Sequence, residues 1–186
     1  MGGVLAACAQ LVRHSAQEDA QLMRQVVQAN LAEIAAGKLA LSRTKSSAVR
    51  AYARRMVNEH AMLQREASEL KSVHGTPLPA SAERGQQAEL RQLEALSGEA
   101  FERAYLDQSV KRHDAVLPLL ERIAARTADP VLEAYAERSM PHLRRHRDLA
   151  RHAACGAGRQ LLEELCGTQL PASRQNPPTR SASSRS

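Results

Sequence analysis

Five residues of this sequence could supply ligands to a metal ion: Glu33, His60, His113, His142 and His146. Each lies in a segment whose other inward positions are apolar, so all five are predicted to face the core of a helical protein. His142 and His146 are four residues apart and therefore share one face of a helix. Imidazole pairs at this spacing suit Zn²⁺ or Cu²⁺. The pattern indicates a metal site with zinc or copper as the candidate ion.

A second interpretation needs no ion. A buried histidine is commonly hydrogen-bonded to a carboxylate from a neighbouring helix, and Glu33 with His60 could form such a pair. Polar contacts of this kind can fix the register of a bundle whose apolar faces are otherwise interchangeable. At the level of the sequence this structural role is preferred, and the metal site is the alternative.

Known catalytic signatures are missing from the sequence. A ferritin-like di-iron site needs Glu-x-x-His on two of its helices, but Glu59 is adjacent to His60, and no Glu lies three residues before His142 or His146. The hemerythrin ligand pattern and the Gly-x-Ser-x-Gly motif of hydrolases are also missing, as are CxxC and CxxCH. The sequence therefore indicates no specific enzymatic activity, and we expect that the protein is not an enzyme.

Apolar residues recur at alternating steps of four and three, which is typical of helices that pack in a bundle. With 2% aromatic residues, the core must be built largely from aliphatic residues, several of which favour helices. The prediction is an all-α, ferritin-like four-helix bundle with a long connection between its second and third helices. The predicted long helices cover residues 18–42, 47–74, 98–126 and 130–154, and a shorter helix falls within 83–96. For the last long helix the predicted inward residues are Leu132, Tyr135, Ser139, His142, His146, Leu149 and Ala153.

The two ends of the chain differ from its middle. Residues 1–17 contain Leu5-Ala6-Ala7-Cys8, which has the small-residue pattern of a lipoprotein cleavage site. We interpret this segment as the remnant of an export signal, with a lipid on Cys8 as a means of membrane attachment; the alternative is a short disordered end. Residues 18–155 form the bundle domain. Residues 156–186 are rich in Pro, Ser and Arg and are predicted to be disordered. In an oxidising compartment Cys155 and Cys166 could pair.

The charge of the chain does not indicate a nucleic-acid partner. The net charge is +6, but basic residues alternate with acidic ones along every predicted helix, which is typical of solvated faces. The sequence has almost no aromatic residues on which bases could stack. No apolar stretch of about 18 residues occurs, so no membrane-spanning helix is predicted.

Several segments in the same order resemble a known family. They are Glu33-Ile34-Ala35-Ala36-Gly37-Lys38-Leu39-Ala40, residues 49–60 (VRAYARRMVNEH), residues 96–106 (LSGEAFERAYL), His113, and Leu143-Arg144-Arg145-His146. Together they resemble the bacterial exported family called domain of unknown function 4142, whose members are often labelled outer membrane or periplasmic proteins. The resemblance covers residues 19–153. It implies a ferritin-like fold and export, and it implies no reaction.

From these observations we expect a non-enzymatic, exported helical-bundle protein of the bacterial cell envelope. It would lie in the periplasm or at the outer membrane and act by binding an envelope protein or a small ligand. The alternative is a periplasmic metal-binding protein that uses the mid-bundle His and Glu residues. A metal-dependent redox enzyme is a third hypothesis.

Overall fold

The computed structural model describes residues 3–74 and 77–157, with side chains described for 16–70 and 77–154. These residues form five helices and no strand: α1 (Gly3–Arg43), α2 (Ser47–His74), α3 (Arg84–Glu94), α4 (Gly98–Arg126) and α5 (Pro130–Ala157). The all-α prediction is confirmed, with four long helices and a short one in the long connection. The bounds of α2 and α4 are those predicted. α1 begins at Gly3 rather than at residue 18 as predicted.

Two helices begin at side chains that accept hydrogen bonds from the first turn. Ser46 Oγ lies 3.3 Å from the backbone nitrogen of Val49 at the start of α2. Asp129 Oδ1 accepts the backbone N–H of Val131 at 2.8 Å at the start of α5, where Pro130 occupies the first helical position. Such residues satisfy donors that a helix leaves unpaired at its start. Ser46 therefore caps α2 and Asp129 caps α5.

α1 runs antiparallel to both of its large neighbours, α2 and α4. Near its start Glu18 pairs with Arg122 at 2.7 Å, and just past its end Thr44 bonds to Glu102. Since early residues of α1 meet late residues of α4, these two helices have opposite directions. The sequence pattern alone did not settle this point.

α5 is likewise antiparallel to α2 and α4, because His146 meets Glu59 while Tyr135 meets Leu63. α2 and α4 therefore run parallel on diagonally opposite corners of the bundle. The connection between them has to return along the whole bundle, which is the connectivity of ferritin-like folds with one long crossover. The short helix α3 lies in this connection and packs on α1 and α4.

The core is divided into two apolar halves by a layer of polar side chains. One half contains Leu22, Val26, Leu63, Leu120, Leu132 and Tyr135. The other half contains Ala36, Ala53, Met56, Phe101, Tyr105 and Leu106. We call the buried residues between the halves the polar layer: Asn30, Glu33, His60, Ser109, Arg112, His113 and His146. Every long helix contributes to it.

The predicted inward face of α5 is wrong in its second half. Leu149 is exposed and the side chain of His142 is 41% exposed, whereas Leu143 and Ala150 are buried. After Ser139 the buried positions continue with a step of four rather than three. Both steps lead to residues that suit a core, so the pattern did not distinguish them.

Several predictions fall outside the described part of the chain. The side chains of Cys8 and Cys155 and the whole of Cys166 are among them, and so is the predicted tail apart from the end of α5 at Ala157. In the described part, none of the helices is both long and apolar enough to cross a membrane.

Candidate metal centre

Three helices bring one histidine each to the middle of the bundle: His60 from α2, His113 from α4 and His146 from α5. All three side chains are buried. His60 Nε2 lies 3.4 Å from His113 Nε2, and His113 Nε2 lies 3.4 Å from His146 Nδ1. One nitrogen of each ring lies within 4.8 Å of the other two. We call these three residues the histidine centre.

These distances match those between ligands of a tetrahedral metal ion. Imidazole nitrogens bind Zn²⁺ at 2.0 to 2.1 Å, which places two of them about 3.3 to 3.4 Å apart. The rings are also steeply inclined to one another, at 66° for His60 with His113 and 89° for His113 with His146. The three rings therefore present nitrogen atoms to a common point rather than stacking.

The outer nitrogen of each ring is engaged by an oxygen atom. His113 Nδ1 lies 2.7 Å from the backbone carbonyl of Ser109, and His146 Nε2 lies 2.8 Å from Glu59 Oε2. His60 Nδ1 lies 3.0 Å from the side-chain oxygen of Asn30. Carbonyl and carboxylate oxygens only accept hydrogen bonds, so each outer nitrogen donates a proton. The inner nitrogens are left with lone pairs, and metal-binding histidines are held in this way.

At neutral pH the inner nitrogens of His60 and His146 are not protonated. Burial, with the nearby His113, holds the pKa of His60 well below its ordinary value. Burial also lowers the pKa of His146 to about 4, although its hydrogen bond with Glu59 acts in the opposite direction. Both rings are therefore neutral at pH 7, and their lone pairs face a third nitrogen. A metal cation at this point would be bound by all three.

The comparison with known proteins gives a family but no activity. A family model described as Domain of unknown function (DUF4142) matches residues 6–153. The chain belongs to the DUF4142 family. No curated protein and no solved structure matches it. This confirms the family resemblance of the sequence, and the chemistry of this DUF4142 protein has to be inferred from the geometry of its site.

Glu33, a predicted ligand, lies beside the histidine centre of the DUF4142 chain rather than in it. Its carboxylate accepts hydrogen bonds from Arg112 Nε at 3.0 Å and from Ser109 Oγ at 3.2 Å. Glu33 Oε1 is 3.6 Å from the outer nitrogen of His113. Burial raises the pKa of Glu33, but the charge of Arg112 more than offsets this and holds the pKa at about 2. Glu33 is thus an ionised neighbour that helps to orient His113.

His142 also lies outside the histidine centre of this DUF4142 protein. Its Nδ1 is 3.0 Å from Glu59 Oε2, the oxygen that accepts the proton of His146 Nε2. Glu59 therefore links a half-exposed histidine to a buried one. Burial raises the pKa of Glu59, but the hydrogen bonds from His142 and His146 lower it by more. The pKa is therefore below its ordinary value, and the carboxyl stays ionised. Glu59, His142 and His146 form a second group of close ligand atoms.

Four residues that act in the site were not among the sequence candidates: Asn30, Glu59, Ser109 and Arg112. Asn30 precedes Glu33 by three residues and Ser109 precedes His113 by four, so a search for polar residues on the same helix face could have found both. No signal of this kind existed for Arg112, which also bonds Glu89 of α3 at 3.1 Å. Glu59 is next to His60 and reaches His146 only because α2 and α5 are neighbours.

Proposed function

We propose that this protein is a metal-binding helical bundle that holds one Zn²⁺ or Cu²⁺ ion on His60, His113 and His146. One observation carries the proposal. Three buried imidazoles from three helices bring one nitrogen each within 4.8 Å of the other two, and His113 Nε2 lies 3.4 Å from both His60 Nε2 and His146 Nδ1. This gives the metal-binding alternative of the sequence more support than the purely structural role.

The structural role accounts poorly for the contact between His113 and His146. In its neutral form each ring donates its one proton outward, to the Ser109 carbonyl and to Glu59. The two facing nitrogens therefore have no hydrogen to share, and burying unpaired polar atoms costs free energy. A structural histidine layer would gain stability by hydrogen-bonding its rings to one another. A metal ion uses all three lone pairs at once.

The ligand type limits the choice of ion. Neutral imidazole nitrogens suit zinc and copper, whereas Mg²⁺ and Ca²⁺ prefer oxygen ligands. Two carboxylates, Glu59 and Glu33, adjoin the rings and supply negative charge near the ion. Because Glu59 bonds to the outer nitrogen of His146, it also makes this ring a stronger ligand.

Elemental analysis of the protein tests this function directly. Protein freed of metal with a chelator, then incubated with Zn²⁺ or Cu²⁺ and desalted, should retain one ion per chain. His146→Gln should lose this ion, since it removes one ligand in the buried centre. The matched control is His152→Gln on the exposed face of the same helix, which should retain it. Equal retention in both variants, or no retained metal in the unaltered protein, would contradict the proposal.

We also propose that the protein acts in the bacterial cell envelope. The support comes from the Leu5-Ala6-Ala7-Cys8 pattern and from the resemblance to an exported family. Fractionation of cells that express the gene from its natural locus tests this. Recovery of the protein from the periplasm or membrane is expected, and recovery only from the cytoplasm would contradict it.

A further inference from the structure

A small cavity adjoins two of the three proposed metal ligands. Its lining includes His60 and His113 together with Asn30, Glu33 and Arg112, and it has room for about one water molecule. His146 does not line the cavity. A metal ion bound by three ligands has a fourth tetrahedral position, and the cavity supplies space beside two of these ligands.

Two hydrogen-bond donors of the lining lack partners of ordinary geometry. Arg112 Nη2, which is buried, has no hydrogen-bond partner among the described residues, and buried Asn30 Nδ2 forms no hydrogen bond of ordinary geometry there, although the Asn30 side chain interacts with the phenol of Tyr135. The other nitrogens of Arg112 are engaged by Glu33 and Glu89, and the oxygen of Asn30 accepts from His60. Buried donors without partners are rare and costly. Since both groups are donors, any ligand that bonds to them has to be a hydrogen-bond acceptor.

The charges at the site point to the same class of ligand. Glu33 is paired with Arg112, and the side chain of Glu89 is 45% exposed to water. Glu59 is the remaining carboxylate that bonds to the rings. A divalent ion would therefore keep an excess positive charge in a buried site, and a small ligand with lone pairs or negative charge would offset it.

We propose that the fourth position of the bound ion takes one water-sized ligand, water, hydroxide or a monatomic anion, held by Arg112 and Asn30. This inference rests on the proposed function, because it needs the ion on the histidine centre. It assigns Arg112 and Asn30 the role of positioning residues that act on the ligand of the metal. The metal site is then an open one, in which the ligand at one coordination position can exchange, rather than a closed structural site.

Pulsed electron paramagnetic resonance of the Cu²⁺-loaded protein in D₂O separates the two proposals. Remote imidazole nitrogens modulate the echo if histidines bind the copper, and deuterium modulates it strongly if a water is bound directly to the ion. Both signals are expected. In buffer free of halide, imidazole signals without bound deuterium would overturn this inference and leave the metal site standing. Absence of imidazole signals would overturn both.

Asn30→Asp tests the donor role without removing the acceptor for His60. The new carboxylate can still accept the proton of His60 Nδ1, but it replaces the amide donor with a negative oxygen. Fluoride, a water-sized anion, should bind the Cu²⁺-loaded variant about tenfold or more less tightly than the unaltered protein. Gln25→Glu on the exposed face of α1 makes the same chemical change away from the cavity and should leave fluoride binding unchanged. Ligand size provides a second test. Thiocyanate, which is longer, should bind much more weakly than fluoride to the unaltered protein.

Either of two results would overturn the inference: equal fluoride affinities in the two variants, or thiocyanate binding as tight as that of fluoride.

Discussion

His113 Nε2 and His146 Nδ1 face each other at 3.4 Å, and in the neutral form of both rings neither nitrogen carries a proton. The backbone carbonyl of Ser109 takes the proton of His113, and Glu59 takes that of His146. Two unprotonated nitrogens at this distance repel each other unless a cation lies between them. The outer hydrogen bonds of the polar layer thus direct the inner lone pairs towards a site that a cation could occupy.

Metal should stabilise the protein through three histidines and not through His142. We expect Zn²⁺ near pH 7.5 to raise the unfolding free energy by about 2.7 kcal/mol at a hundredfold excess over Kd. Differential scanning calorimetry should show the gain in the unaltered protein and in His142→Ala. His146→Gln should show none. If His142→Ala also lost the gain, the ligand set would be the pair His142 and His146 that the sequence indicated.

The sequence predicted the helices better than it predicted the site. The bounds predicted for α2 and α4 agree with the structure to the residue, because the signals that define a helix lie within it. The contacts of the site lie between helices. Whether α2 and α4 are parallel decides which histidines meet, and no local pattern carries that information.

The phase of a helix was the second limit on predicting the site. On α5 the inward face was ambiguous between His142 and Leu143, which follow Ser139 by three and four residues. The structure buries Leu143 and leaves His142 half exposed, so only His146 of the pair reaches the centre. Glu33 was correctly predicted to be buried, but a carboxylate in the core gives no sign of whether it will bind an ion or an arginine.

Removing Glu59 should weaken metal binding although Glu59 is not a proposed ligand of the buried ion. Loss of an acceptor that holds a metal-binding histidine typically reduces metal affinity about 10- to 100-fold. Competition titration with a zinc chelator should show this loss for Glu59→Ala. The control is Glu66→Ala, two turns further along α2 with a distant partner in Arg138 at 3.9 Å. Equal affinities for both variants would show that Glu59 does not orient His146.

The corrected phase of α5 predicts different costs for two leucines on this helix. Leu143 is buried at 2% exposure and Leu149 is 37% exposed. Leu143→Ala should lower the free energy of unfolding by about 2 to 5 kcal/mol, because it removes buried methyl groups and leaves a cavity. Leu149→Ala should cost much less, within about 0.5 to 1 kcal/mol. Urea unfolding measures both values. A larger cost at Leu149 than at Leu143 would contradict the structure and support the inward face predicted from the sequence.

The metal-free protein should lose stability as the pH falls from 6.5 towards 4. Well above pH 6.5 His60 and His146 are neutral in both the folded and the unfolded chain, so they contribute no pH dependence there. Below it the unfolded chain binds protons on His60 and His146, whereas in the folded protein burial holds the pKa of His146 at about 4 and that of His60 well below normal. Stability therefore falls by up to about 1.4 kcal/mol per pH unit for each ring.

Urea midpoints of the chelator-treated protein between pH 7 and pH 4 measure this slope. His146→Gln removes one of the two titrating rings, so its stability should fall less steeply with decreasing pH. His152→Gln, on the exposed face of α5, should keep the slope of the unaltered protein. With Zn²⁺ present the fall should be steeper, because protons then compete with the ion for the same nitrogens and release it as the pH decreases. A slope that is the same in His146→Gln, or one that zinc leaves unchanged, would mean that His146 titrates as an ordinary surface histidine and does not contribute to a buried metal centre.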